Sequence, residues 1–236
     1  MIRAALIVLS LALPASAQGA LDATYDFSMR GITGGTIRVV GRDQGGAYAV
    51  SSAARASGVV GALVKYGYEG RAQGRIQGGR YVSDRYTEVE LDDGERTSSV
   101  TTFDGTTPAS VTFDPPREPK PHDVDPRAQR GVIDPLTALY DLLQAAPRDA
   151  VCNRRLDTFD GRHVARLSVG PPQAQPDGTL LCGAEYLRLR GYSQKDLEKR
   201  PNVTMRLILD EVGGGLWQVR EVRSRTRLGD AVLRRR

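Results

Sequence analysis

Apolar and polar residues alternate along most of the chain in the manner of β-strands. Short segments rich in Val, Ile, Tyr and Thr are separated by Gly, Asp-Gly and Pro at intervals typical of all-β domains. Residues 159–162, Phe-Asp-Gly-Arg, form the strongest local hairpin pattern. The alternation predicts strands over residues 23–29, 35–40, 46–52, 66–73, 80–90, 95–103, 109–113, 154–159, 163–169, 179–190, 203–211, 216–226 and 231–233.

Two segments have the pattern of helices instead. Asp134 can cap free amides and Pro135 suits the first helical position, so a helix is predicted over about 134–146. Its apolar stripe consists of Leu136, Leu139, Tyr140 and Leu143. A second, short helix is predicted over about 53–65 from small apolar residues, although Gly58 and Gly61 each weaken it by about 1 kcal/mol.

A proline-rich segment over residues 114–130 interrupts these elements. Its five prolines can neither pair within a sheet nor continue a helix, so a long loop is predicted. Loops of this length are uncommon in compact domains, and this one is either mobile or a lid.

The first 17 residues have the pattern of a cleavable secretory signal peptide. Arg3 gives a basic head, residues 4–13 are apolar except for Ser10, and the small residues before Ala17 suit a signal peptidase. The apolar run is far shorter than the roughly 20 residues that cross a bilayer. We expect cleavage after Ala17 and a periplasmic protein, soluble and monomeric, whose residues 18–236 form a single β-rich domain.

The two cysteines, Cys152 and Cys182, agree with export. An even pair in an oxidising compartment predicts one disulfide. The spacing does not suit a redox motif, and no His or further Cys lies nearby in sequence to complete a metal shell.

Charge is mildly basic, because the chain beyond residue 17 has 32 Lys and Arg against 28 Asp and Glu. Arginines are dense over residues 220–236, which suits either contact with an anionic envelope component or the solvent face of a strand. Nucleic acid is a poor partner for an exported protein.

Catalytic patterns are sparse. His122 and His163 are the two histidines and neither lies in a motif, and no nucleophile elbow, zinc-protease motif or phosphate loop occurs. Glu88 and Glu90 share one strand face, but this spacing alone does not indicate a catalytic pair. No cofactor or metal is predicted.

An apolar interior bounded by strands and helices could instead enclose a ligand or be fully packed. The candidate lining residues are Val59, Val60, Leu63, Leu136, Leu139 and Leu143.

Several segments follow one another in a recognisable order. They are Tyr25 with the turn at 31–35, then 48–50, 58–63, 134–140, 159–162, Cys182 with Tyr186, 191–193 and 228–229. Taken together, they resemble the exported proteobacterial family called DUF3108, a domain of unknown function. The resemblance implies a curved antiparallel sheet around a helix, similar to the half-open β-barrels of periplasmic lipoprotein carriers, and no catalytic residues. The arginines at residues 234–236 match no feature of the family.

Three hypotheses about function follow. The first is a non-enzymatic periplasmic protein that binds an apolar or amphiphilic envelope ligand, either a lipid or a lipoprotein, and supports envelope maintenance. The second is a structural or interaction protein with a filled core that binds a partner through a basic surface. The third is a hydrolase, which would require carboxylates that converge in a cleft with perturbed pKa values.

Overall fold

The computed structural model describes residues 19–58, 61, 65–226 and 229–236, which form a mainly β structure, as the alternation predicts. Two helices accompany the strands, α1 (Pro135–Leu143) and α2 (Gln194–Lys199), together with a 3-10 turn at Pro126–Ala128. The strands are β1 (Ala20–Met29), β2 (Ile32–Gln44), β3 (Ala47–Ala56), β4 (Tyr66–Gln77), β5 (Arg80–Asp92), β6 (Glu95–Asp104), β7 (Thr107–Asp114), β8 (Val132–Ile133), β9 (Ala146–Pro147), β10 (Arg154–Phe159), β11 (Val164–Val169), β12 (Gln173–Ala174), β13 (Leu180–Arg190), β14 (Asn202–Gly213), β15 (Leu216–Thr226) and β16 (Gly229–Arg235).

One curved sheet contains these strands and forms a nearly closed barrel. Its order is β7-β6-β5-β4-β3-β2-β1-β16-β15-β14-β13-β11-β10-β8, with β12 paired to β13 and β9 to β15. Neighbouring strands along this order pair antiparallel, except that β8 runs parallel to β10. β16 pairs with β1 so that Leu233 lies opposite Phe27, and this pairing joins the two halves of the sheet.

The alternation of side chains assigns one face of the sheet to the barrel interior. In β3, Tyr48, Val50 and Ser52 are buried, whereas Ala47, Ala49 and Ser51 are exposed. The same period of two places Leu21, Ala23 and Tyr25 of β1 inside. The interior side chains form one hydrophobic core that surrounds α1 and extends along the barrel to Phe159 and Val164.

Helix α1 lies inside the barrel and is anchored at its first turn. Asp134, which is fully buried, accepts hydrogen bonds from the Thr137 amide (2.8 Å), the Thr137 hydroxyl (2.6 Å) and the Ser83 hydroxyl (2.6 Å). Burial raises the pKa of Asp134, although these hydrogen bonds oppose the shift. The cap therefore ties the helix directly to β5.

A second polar contact fixes the middle of α1. The hydroxyls of Tyr140 and Tyr81 both donate to Asp43, at 3.0 Å and 2.8 Å. Gly41 makes room for the helix, because a Cβ there would lie 2.4 Å from the ring of Tyr140. The helix and the tyrosines around it fill this end of the barrel, which we call the helix end.

At the opposite end, which we call the open end, the described chain has turns at residues 30–31, 93–94 and 160–163. The connection from β3 to β4 also lies at this end, and its residues 59, 60 and 62–64 lie outside the described residues. Three large apolar side chains are exposed there, Ile32 (59%), Tyr66 (41%) and Leu91 (42%). Exposed apolar side chains around an opening can contact an apolar ligand or partner.

The proline-rich segment closes the seam of the barrel between β7 and β10. Arg127 donates to the carbonyl of Ala109 in β7 (3.2 Å), and Arg190 donates to Gln129 (2.8 Å). The segment leads into β8, where the amide of Val132 donates to the carbonyl of Thr106 (3.1 Å). The segment is therefore part of the barrel wall.

Cys152 and Cys182 form the predicted disulfide, with a Cα–Cα distance of 6.5 Å. It links the segment between β9 and β10 to β13, and both cysteines belong to the core. Helix α1 starts where the cap predicts but ends at Leu143, so the predicted extension to about 146 is wrong. Ala146 instead pairs with Trp217 of β15.

The short helix predicted over 53–65 is wrong for its first four residues. Ala53 to Ala56 continue β3 and pair with β2, because backbone hydrogen bonds to a neighbouring strand outweigh the weak helix preference of a short segment. Gly58 and Gly61 are helical. The remaining residues of that segment from 59 to 64, like residues 1–17, lie outside the described residues.

Candidate functional site

An apolar cavity of about 250 Å³ lies on the inner face of β1 to β4, near the open end. Gly35 forms part of its wall, and a Cβ there would lie 2.5 Å from the carbonyl oxygen of Arg55. The larger side chains around it are mostly aliphatic or aromatic. The lining consists of Phe27, Gly34, Gly35, Thr36, Ile37, Ala54, Arg55, Ala56 and Tyr66.

A charged cleft of about 380 Å³ lies beside this cavity, between β5, β6, the end of β7 and the proline-rich segment. It contains equal numbers of acidic and basic side chains, together with hydroxyl groups and one aromatic ring. The lining consists of Glu88, Glu90, Glu118, Arg117, Lys120, Arg162, Thr97, Ser98, Ser99, Phe113, Pro115 and Pro119.

Strand pairing places the cavity and the cleft on the same inner face. Ile37 and Ala54 of the cavity lie opposite each other, Ala54 lies opposite Tyr68, and Tyr68 lies opposite Glu90 of the cleft. Ala54 and Glu90 are two strands apart, which corresponds to about 10 Å. The two spaces are therefore close neighbours on one face, with Tyr68 between them.

Glu88 is an acidic group of the cleft whose carboxylate accepts hydrogen bonds from neighbouring hydroxyls. It accepts hydrogen bonds from the hydroxyls of Tyr86 (2.7 Å) and Ser99 (3.1 Å), and the hydroxyls of Tyr86 and Tyr68 are 2.7 Å apart. Burial, helped by the negative charge of Asp160, raises the pKa of Glu88 against the opposing effect of the Tyr86 hydrogen bond. Glu88 can therefore exchange a proton or attract a cation.

Arg162 enters the cleft from a rigid turn. The Asp160 carboxylate accepts hydrogen bonds from the amides of Arg162 (2.8 Å) and His163 (2.7 Å) and contacts Nδ1 of His163 at 2.9 Å. Burial opposes the ionisation of Asp160, but the bonds and charge of His163 outweigh it and lower the pKa. The Nε atom of Arg162 is buried without a hydrogen-bond partner among the described residues.

Arg117 positions the proline-rich segment over the cleft. Its guanidinium lies 5.2 Å from the centre of the Phe113 ring and donates to Asp123 at 2.9 Å. The hydrogen bond to Arg117 lowers the pKa of Asp123. This arrangement holds the basic residues of the segment close to the glutamates of β5.

The candidate lining residues named from sequence lie elsewhere. Leu136 and Leu143 are buried in the core, and Leu139 is partly buried against it. None of these three lines the cavity or the cleft, so a ligand contact with them stays a prediction that requires α1 to move. Val59, Val60 and Leu63 lie outside the described residues.

The sequence contains a pattern that could have predicted part of the cleft. Alternation along β5 places Tyr86, Glu88 and Glu90 on one face, and that face is the interior. Sequence reasoning considered the two glutamates as paired carboxylates for glycoside cleavage or calcium binding and favoured neither. It gave no indication that Arg162 would join them.

The two histidines have different surroundings. His163 stacks on Tyr192, with ring centres 4.4 Å apart, and belongs to the turn that carries Arg162. His122 is half-buried in the proline-rich segment. Within the described ranges, no group of three or more His, Cys, Asp and Glu side chains could hold a metal ion.

The arginines at the end of the chain are largely paired with acids. Arg223 and Arg234 both pair with Glu221, and the effect of these arginines outweighs its burial and lowers its pKa. Arg220 pairs with Asp210, and Arg236 pairs with Asp26. These pairs agree with the hypothesis that the charges form the outer face of a sheet.

A different group of arginines has no acidic partner. Arg42, Arg71 and Arg85 lie on the outer face of β2 to β5, around a groove of about 610 Å³. No carboxylate lines this groove, and in the described part of the chain no acid forms an ion pair with these three residues. Strand pairing places Arg71 diagonally to Arg85, about 7–8 Å away.

No helix in the described ranges combines the length and the apolar character that crossing a bilayer requires. The family model described as "Protein of unknown function (DUF3108)" matches residues 24–170. No functionally curated protein is similar enough to the chain to count as a match.

One solved structure has a similar fold, the crystal structure of a "Beta-barrel-like Protein of Domain of Unknown Function DUF1849 from Brucella abortus". The TM-score is 0.51 at 13% identity, and the similarity covers 92% of this chain and 95% of that one. At this identity the similarity concerns the barrel-like fold alone.

Proposed function

The chain belongs to the DUF3108 family of proteins of unknown function, and on that premise we propose that it is a non-enzymatic envelope protein that binds an apolar or amphiphilic ligand. The ligand, a lipid or the acyl group of a lipoprotein, occupies the open end of the barrel. The observation that carries the proposal is the apolar cavity of about 250 Å³ there.

The position of the cavity supports a role in binding. The core is filled around α1 at the helix end, whereas Phe27, Ile37 and Ala54 surround space at the open end. Exposed Ile32 and Tyr66 extend the apolar surface toward solvent. An acyl chain that covers these groups gains roughly 25 cal/mol for each Å² of apolar surface that it removes from water.

The proposal includes export to the periplasm and a role in envelope maintenance. Residues 1–17 have the composition of a cleavable signal peptide, and a disulfide suits an oxidising compartment. Together these features support the proposal that the ligand is an amphiphile of the cell envelope.

The first experiment is native mass spectrometry of the processed protein purified gently from the periplasm, followed by organic extraction. We expect an additional mass that extraction removes, and the extracted molecule identifies the ligand class. An apo mass that persists after addition of envelope lipids would contradict the proposal. An extracted lipid that the protein has hydrolysed would favour the hydrolase hypothesis instead. Glu88 and Glu90, two carboxylates in one cleft, would then be the candidate catalytic groups.

A matched pair of variants tests the location. Ala54→Trp fills the cavity, whereas Ala47→Trp adds the same side chain to the exposed face of the same strand. We expect loss of the co-purifying mass in Ala54→Trp alone. Near-ultraviolet circular dichroism of both variants shows whether they fold, and equal ligand content in two folded variants would exclude this cavity.

A second candidate function is an interaction protein that binds an anionic partner through its outer face. The three unpaired arginines, Arg42, Arg71 and Arg85, favour it, because clustered like charges without counter-ions attract anions. A filled core would accompany this function.

Salt dependence of partner capture tests the second candidate. Capture of an anionic partner by the unmodified protein should weaken as salt is added. The double variant Arg71→Gln and Arg85→Gln should abolish this capture. Arg38→Gln should leave it intact, because Arg38 is already paired with Asp22. Capture that is unchanged in the double variant would contradict this candidate.

A further inference from the structure

The charged cleft contains opposite charges that do not neutralise one another. Arg117 pairs with Asp123, which does not line the cleft. Within the described residues, none of the three glutamates of the cleft forms an ion pair with any of its three basic residues. Such a site suits a ligand that itself carries separate positive and negative groups.

The basic groups of the cleft suit a phosphate. Arg162 has a buried Nε atom without a hydrogen-bond partner among the described residues, and its backbone amide is held by the Asp160 carboxylate, so the turn fixes the point from which its side chain enters the cleft. Lys120 contributes a second positive charge from the proline-rich segment. A guanidinium and an ammonium are the two side-chain groups that most often bind phosphate in proteins.

The acidic groups of the cleft suit an ammonium. Glu88 and Glu90 project from the same face of β5, and Glu88 already accepts two hydroxyl donors, Tyr86 and Ser99. Burial and the negative charges of Glu90, Asp92 and Glu88 raise the pKa of Tyr66. A bound cation would relieve the cost of holding these negative charges beside one another.

The cleft also lies about two strands from the apolar cavity, with Tyr68 between them. We infer that the cleft binds the zwitterionic head group of a phospholipid, with its phosphate at Arg162 and Lys120 and its primary ammonium at Glu88 and Glu90, while an acyl chain occupies the cavity. This inference rests on the proposed function and specifies its ligand class.

The test compares short-chain phosphatidylethanolamine, phosphatidylglycerol with the same acyl chains, and the corresponding free fatty acid. The probes compete in equimolar mixtures for the full processed protein, and native mass spectrometry measures the complexes. We expect phosphatidylethanolamine to be preferred over phosphatidylglycerol by about tenfold, the effect of one charged hydrogen bond.

Two variants test the contacts with the ammonium and with the phosphate of the head group separately. Glu90→Gln should remove the preference for phosphatidylethanolamine while phosphatidylglycerol binds as before. Arg162→Gln should weaken both phospholipids by about tenfold and leave the fatty acid unaffected. The matched controls are Glu69→Gln and Arg155→Gln, whose side chains are exposed away from the cleft.

The outcomes distinguish the two proposals. Equal binding of both phospholipids, or variants that behave like their controls, would overturn the head-group inference and leave the proposed function intact. Failure of all three probes to bind the unmodified protein would overturn both. Thermal unfolding of each variant shows whether a loss of binding reflects a loss of structure.

Discussion

Glu88 shows how the fold changes the chemistry of one side chain. In the unfolded chain it is an ordinary carboxyl group, whereas in the barrel it lies beside Tyr86, Ser99 and the charge of Asp160. Burial raises its folded-state pKa above the unfolded value, so the native protein binds more protons than the unfolded chain at intermediate pH. Ionisation of Glu88 therefore costs stability as pH rises from the unfolded pKa through the folded one.

We predict that Glu88→Gln raises the free energy of unfolding relative to the unmodified protein more at about pH 8 than at about pH 4, where both side chains are neutral. Urea unfolding at both pH values measures the difference. Glu69→Gln, on the exposed face of β4, is the control and should show little change between them. If the gain in free energy of unfolding from Glu88→Gln became smaller as pH rises, this would contradict a raised pKa for Glu88 in the folded protein.

Helix α1 depends on space left by its neighbours as much as on its own sequence. Asp134 and Pro135 set its first turn, but its depth in the barrel depends on the close approach of Tyr140 to the backbone of β2. Gly41 permits that approach, since the residue has no side chain between the strand and the ring.

We predict that Gly41→Ala lowers the free energy of unfolding by about 1–3 kcal/mol, because the added methyl overpacks a filled interior. Gly67→Ala in β4 is the control, since its Cβ would lie 3.7 Å from the Cβ of Leu91, an ordinary contact. Urea unfolding measures both. Equal effects of the two substitutions would show that Tyr140 moves without cost.

Helix α2 illustrates an element that local sequence could have predicted. Ser193 caps it by accepting from the amide of Asp196 (3.2 Å), and its own hydroxyl donates to the Asp196 carboxylate (2.6 Å). A serine followed three residues later by an acid at a helix start is a known capping pattern. No apolar stripe accompanies this cap, and the sequence analysis predicts no helix after Gly191.

The barrel is held closed by contacts between segments distant in sequence, and the disulfide is the covalent one. Cys152 and Cys182 are 30 residues apart and join the segment before β10 to β13. In the chain-entropy model, closing a loop of this length stabilises the fold by about 3–4 kcal/mol.

We predict that the double variant Cys152→Ala and Cys182→Ala loses about this much free energy of unfolding. Guanidinium unfolding with and without a reductant measures the effect. The reductant should destabilise the unmodified protein and leave the double variant unchanged. Equal stability of the two proteins without reductant would show that the bond contributes nothing to the fold.

Most of the local structure follows from short stretches of sequence, because strand alternation, turn chemistry and caps depend on neighbouring residues. The β10–β11 hairpin and the start of α1 lie where Asp160-Gly161 and Asp134-Pro135 predict them. The sequence also predicted the disulfide correctly. Local composition misled where pairing with a neighbouring strand outweighed it, as for residues 53–56 in β3.

The candidate site depends on the tertiary fold, because its parts meet through strand pairing and barrel closure over long sequence distances. Alternation could place Glu88 and Glu90 on one strand face, but the Asp160 turn brings Arg162 to them and the seam brings Arg117 and Lys120. The same applies to the apolar cavity, which exists because α1 fills one end of the barrel and leaves space at the other. No local pattern specifies which end of a barrel stays open.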